Sequence, residues 1–137
     1  MARTGVTVGV EIHGKRALMA KLARLGIDIH FELAKALYHE GERIMGESKS
    51  TYVPVRRGVL RASGHVQLPQ KGPVVYLGYG GPAIDYAIVQ HETPPSKYKH
   101  RVGQWKYLEV PALRAATTMG AKIAAHLRAT AVARAAR

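Results

Sequence analysis

Seven histidines, nine acidic residues and a few serines are the groups in this 137-residue chain that could carry acid–base, nucleophilic or metal chemistry. His65, His91, Glu92 and His100 have donor types that suit a metal ion. No pair of them stands at a recognised ligand spacing, and the adjacent His91 and Glu92 are expected to diverge. His39-Glu40 lacks the second histidine that a metalloprotease helix needs. Asp85 and Glu92 flank one element, but on an extended chain a separation of seven residues puts them far apart on opposite faces. Paired-carboxylate chemistry is therefore not expected. Ser63 has no G-x-S-x-G frame, and the glycine run from Gly78 to Pro82 lacks the features of a phosphate loop. The chain reads as a non-enzyme with no cofactor and no metal. What remains is contact chemistry: Arg56, Arg57 and Arg61 form one basic cluster, and Lys97, Lys99 and Arg101 another. Either could meet phosphate or an acidic partner.

The second cluster sits in the stretch from Asp85 to Glu109. Tyr86 to Val89 forms a short apolar element, strand or helix, that breaks at Pro94-Pro95. A projecting basic loop follows and re-enters ordered structure at Trp105. Arg101 and Trp105 are the interface candidates, because Arg and Trp dominate binding hot spots.

The surrounding elements follow from periodicity. Val6, Val8, Val10 and Ile12 alternate with polar residues or glycine, which predicts a strand over 5–13. Leu18, Leu22, Leu25, Ile29, Leu33, Leu37 and Ile44 make the stripe of a long amphipathic helix. Gly26 kinks or divides it, with Asp28 capping the second part. The helix is expected to end from Ser48, with Val53 extended before Pro54. Gly58 allows a tight turn, and Val59-Leu60 tuck a short helical turn onto the core. Strands around Val66-Leu68 and over 73–79 read as a hairpin. A final alanine-rich helix starts near Glu109, with Leu108, Leu113, Ile123, Leu127 and Val132 as its larger apolar positions. From about residue 127 a basic tail has little to bury.

The class is therefore α+β: a small mixed or antiparallel sheet packed by a long N-terminal helix and a C-terminal helix, in one domain spanning 1–137. The absence of cysteine excludes disulfides and thiolate metal sites and suggests intracellular synthesis. No signal-peptide pattern or membrane-length apolar run is found, so a soluble protein is expected. A formal charge of +12 favours nucleic acid or acidic surfaces as neighbours.

The order of elements, with V-P-V-R-R-G-V-L-R-A-S, then Y-A-I-V-Q-H-E, a variable loop and V-G-Q-W-K-Y-L-E, resembles the neck or tail-completion proteins of long-tailed bacteriophages, also labelled minor capsid or tail-component proteins. The resemblance covers roughly residues 15 to 125. Arg56-Arg57 stand where that family tends to have an acidic residue and Thr. The resemblance implies a virion protein without catalysis: a homo-oligomeric ring in the head–tail connector, between head-closure and tail proteins, made in the host cytoplasm, near DNA and away from membrane. It also implies that Tyr86, His91, Glu92, Gln104 and Tyr107 hold the central element and its loop. Tyr86 and Tyr107 would pack with polar tips exposed, and His91, Glu92 and Gln104 would hydrogen-bond across the loop base. The alternative is a basic DNA-binding module.

Overall fold

Helix α1 (Lys15–Arg24) stops because Gly26 takes a left-handed conformation, φ 70°. The Ile27 N–H then bonds back to Leu22 O at 2.9 Å and the Gly26 N–H to Ala23 O at 3.0 Å, closing a Schellman motif. Two residues later Asp28 caps α2 (Ile29–Glu47), its carboxylate accepting from the backbone of His30 at 2.9 Å and Phe31 at 3.4 Å. The single long stripe is thus two helices, divided where the sequence places Gly26 and Asp28.

A computed structural model describes residues 15–55, 58–70, 72–80, 87–97 and 100–136. The strand expected over 5–13 lies outside the described residues, as do Arg56, Arg57, Tyr86 and Lys99. The fold is α+β, with five α-helices among the described residues and one two-stranded antiparallel sheet. None of these helices is long and apolar enough to cross a membrane.

α2 ends at Glu47, as expected, and the chain continues as a π-helical turn over Ser48–Tyr52, closed by the Val53 N–H on Ser48 O at 2.7 Å. Val53 is extended, φ −66° and ψ 134°, as a residue before proline should be. The short helix α3 (Val59–Ala62) then seats Leu60 in the interior while Val59 stays half exposed. Strands β1 (His65–Val66) and β2 (Leu77–Gly78) pair with His65 opposite Gly78 and Val66 opposite Leu77. The ladder is much shorter than the two alternating runs suggest. Among the described residues one further bond, Gln67 N–H to Tyr76 O at 2.8 Å, extends it, and Leu68, Val74 and Tyr76 are left exposed. The sheet lies on α2 at Gly41, where a β-carbon would come within 3.2 Å of Val66 and Val75. The hairpin can approach so closely only because the helix has no side chain there.

Helix α4 (Ala87–Glu92) settles the strand-or-helix ambiguity of the central element. Helix α5 (Glu109–Ala135) runs antiparallel to α2. Arg114 reaches Glu47 at 3.4 Å, His126 reaches Glu32 at 3.3 Å, and the Arg134 guanidinium donates to Leu25 O at 3.2 Å. Its buried residues, Pro111, Ala115, Met119, Ile123, Leu127 and Ala131, recur strictly every fourth position. Such a row advances around the helix by about 40° per step, so it slants across α2 as an i±4 ridge and does not form a fixed stripe. Ala36, Ile44, Ala115, Met119, Ile123 and Leu127 form the larger core, and Val53, Leu60, Ala87 and Tyr107 a second one.

The C-terminal segment stays helical as far as Ala135, with Leu127 wholly buried and Ala131 nearly so, while Arg128, Ala129 and residues 132–136 are exposed. Leu113 is exposed because the slanted ridge passes it by, and Val132 is exposed too, in keeping with a segment that has little to bury. Leu127→Ala should therefore cost about 3 kcal/mol, the usual loss for an emptied leucine site. Val132→Ala should stay within about 0.5 kcal/mol, as surface changes do. Urea denaturation of the two variants checks this difference.

Candidate functional site

The second core is organised by Tyr107, in the turn just before α5. A tyrosine here was expected to keep its polar tip exposed, but the side chain is 1% exposed. Burial is tolerable because each polar group is used. The phenol donates to Ala87 O at 2.6 Å, and the backbone carbonyl accepts from the Ser48 hydroxyl at 2.6 Å. Having given its proton to that carbonyl, Ser48 can only accept from the Tyr79 hydroxyl, 2.8 Å away. Burial raises the Tyr79 phenol above its ordinary value of 10.0, opposed in part by that bond, so the donor keeps its proton at neutral pH. The Tyr107 ring meets Tyr79 edge-to-face at 5.0 Å and His91 at 4.9 Å. One buried residue thus joins the π turn, the hairpin and α4.

His91 and Glu92 end α4, and they converge where adjacent residues were expected to diverge. The imidazole Nδ1 lies 2.8 Å from Glu92 Oε1, while Nε2 faces the Glu109 backbone N–H at 3.3 Å. Both contacts are satisfied by the neutral ring protonated on Nδ1, which donates to the carboxylate and accepts from α5. The convergence arises because the other carboxylate oxygen is drawn the same way by Lys106. Its ammonium lies 2.6 Å from Glu92 and 2.9 Å from Glu109, and 5.7 Å from the centre of the Trp105 ring. Lys106 also donates its backbone N–H to His91 O at 2.8 Å. To do all this it adopts φ 54°, a strained conformation for a side-chain-bearing residue.

Donor atoms of His91, Glu92 and Glu109 gather within 4.8 Å of one another, the compass of a metal site. The chain itself answers their charge: the Lys106 ammonium bridges both carboxylates. That bridge is what the residue pattern hides, although Lys106 and Glu109 stand at the i, i+3 spacing of a helical ion pair. Ser48, Tyr79, Lys106 and Glu109 belong to this site and were missed by sequence reasoning; Ser48 carries no signal apart from being a polar residue at a helix end.

The loop between α4 and α5 is fixed at its returning end by backbone. The Gln104 N–H donates to Tyr52 O at 2.8 Å, and Gly103, φ 83°, lies flat on the Val53-Pro54 peptide. A β-carbon at Gly103 would lie 2.5 Å from Val53 C and O. The Gln104 side chain does not bond across the loop base as expected; it is exposed, turned towards the adjacent Trp105 O at 3.4 Å. Pro94 O accepts from the Lys97 N–H at 3.0 Å, making a turn that leaves Lys97 in solvent. Arg101 and Val102 are also exposed, and Trp105 is half-buried against Lys106. Arg61 is exposed on α3, apart from this latch. The structure brings together His91, Glu92 and Tyr107, and leaves Lys97, Arg101 and the Gln104 side chain facing outward. Such an arrangement spends its polar groups on one another and holds the two ends of the loop in place.

Comparison with known proteins finds no family model, curated protein or solved structure that matches this chain.

Ser48→Ala should destabilise by about 2 kcal/mol, since Tyr107 O and the Tyr79 hydroxyl each lose a buried partner. Tyr107→Phe should cost about 1 kcal/mol through the lost buried hydrogen bond to Ala87 O. Thermal and urea unfolding measure both. Lys106, then His91, hold the Glu92 carboxyl below its ordinary 4.5. A depressed folded value contributes stability above the unfolded value, lost as pH falls through the folded one. Glu92→Gln should thus be less stable than the parent at pH 7 but converge with it below about pH 4. A gap that persists in acid would remove Glu92 from the ion pair.

Proposed function

We propose that this chain is a structural, non-catalytic subunit of the neck of a long-tailed bacteriophage, forming a ring with its own copies at the head–tail junction, between head-closure and tail proteins. One observation carries the reading. The two segments that bear the resemblance, 86–92 and 103–109, supply most of the latch: His91, Glu92, Gly103, Lys106, Tyr107 and Glu109 all come from them. A motif spent on fixing a loop suits an assembly protein, because a loop ordered before contact loses little entropy on binding.

The outward side of the loop offers what a subunit contact uses. Arg101 and Val102 are exposed, and the half-buried Trp105 lies at its foot. Exposed apolar residues on the hairpin, Leu68, Val74 and Tyr76, supply a second surface of different composition. Two unlike surfaces on one subunit are what a head-to-tail ring contact needs.

The decisive test is the solution mass of the purified protein over a concentration series, alone and with a phage connector. A discrete ring-sized species under either condition is expected. A monomer that ignores the connector would overturn the reading. Trp105 belongs to neither core, so Trp105→Ala should weaken assembly tenfold or more, about 2 kcal/mol for a lost tryptophan anchor, with little change in melting temperature. Equal loss of assembly and fold would make Trp105 a packing residue and remove it from the interface.

A further inference from the structure

A third surface, between the π turn and α3, has a different chemistry. Gly46, Lys49, Ser50, Gly58, Arg61 and Ala62 line a shallow depression of about 350 Å³. Two of the six are cations, none is acidic, and among the described residues neither Lys49 nor Arg61 makes an ion pair. The adjacent acid, Glu47, is turned to Arg114 at 3.4 Å. The imbalance extends along the chain: from Ser48 to Ile84 there is no Asp or Glu, while Lys49, Arg56, Arg57, Arg61 and Lys71 all fall in that span. Arg56 and Arg57 directly precede Gly58, one of the lining residues.

We propose that this depression is a binding site for the phosphodiester backbone of duplex DNA, with Lys49 and Arg61 as its phosphate contacts. Uncompensated cations in a concave, glycine-backed surface let a phosphate come close to both charges, and each one neutralised releases condensed counterions. Ser50 is not a ligand as it stands, since its hydroxyl donates to Glu47 O at 3.2 Å. The lining also argues against an acidic protein as occupant. Its only apolar side chain is that of Ala62, whereas protein contacts draw their energy from large buried anchors. Lys97 and Arg101, exposed on the loop, serve as the comparison cluster. Such a site reads no sequence; it fixes where the duplex backbone lies.

Phosphate binding here does not depend on ring assembly, and the two can fail separately: solution mass reports the ring, a titration reports the phosphate. The titration uses a labelled mixed-sequence duplex and the full-length protein, followed by fluorescence anisotropy from about 50 to about 200 mM salt. The parent should bind with an affinity that falls steeply with salt. The Lys49→Gln/Arg61→Gln double variant should bind about tenfold more weakly at the lowest salt, with a log–log salt slope shallower by about two, one for each lost phosphate contact. Lys97→Gln/Arg101→Gln should change the slope by less than half as much. Circular dichroism melting guards against misfolding, and Lys49→Arg/Arg61→Lys should restore the slope. No binding at the lowest salt, an unchanged slope in the first double variant, or competition by polyglutamate as effective per charge as by DNA would each overturn the assignment.

Discussion

The hydrogen bond from Ser48 to Tyr107 O fixes the architecture more than any other contact. It joins the end of α2 to the turn that launches α5, across 59 residues of sequence, in a place that water does not reach. The long α2–α5 pair could slide along its ridge if apolar packing alone held it, because neighbouring turns of an alanine-rich helix offer similar surfaces. A buried donor with one available carbonyl removes that freedom, since any shifted register would strand a polar group at about 1–3 kcal/mol. The π turn serves this bond by widening the helix where Ser48 must face inward.

From that point the second core is built outward in layers of decreasing burial. Tyr107 is enclosed, with its phenol on Ala87 and its ring between Tyr79 and His91. His91 is half-buried and spends both nitrogens. Glu92, Lys106 and Glu109 lie nearer solvent, where ion pairs orient more than they stabilise. This gradient suits a device that holds a surface loop: the enclosed residues supply energy and the outer charges supply direction. Lys106 is the hinge between them, and its left-handed backbone is the local strain that the surrounding bonds maintain.

The two lobes of surface so defined differ in kind. The loop side combines an exposed arginine and valine with a half-buried tryptophan, a composition suited to another protein surface. The α3 side is basic, backed by glycines and nearly without apolar side chains, a composition suited to a polyanion. Under the function and the DNA contact proposed above, one lobe would meet protein and the other the duplex.

Much of the architecture was written locally in the sequence. Gly26 and Asp28 end one helix and start the next, Pro54 sets Val53 extended, Leu60 turns inward after Gly58, and the last helix begins at Glu109. Each signal acts through backbone sterics or hydrogen bonds within a few residues, so it survives in any tertiary context. The choice of helix for Ala87–Glu92, the burial of Tyr107, the convergence of His91 with Glu92, and the ammonium of Lys106 between two carboxylates were decided only by the fold. So was the fate of the C-terminal segment, whose fourfold spacing becomes a buried ridge only when α2 and the α1–α2 turn lie beside it. The physical reason is the same in each case: a side chain's periodicity fixes which way it points along its own element, but only a neighbour distant in sequence decides whether that direction is inside.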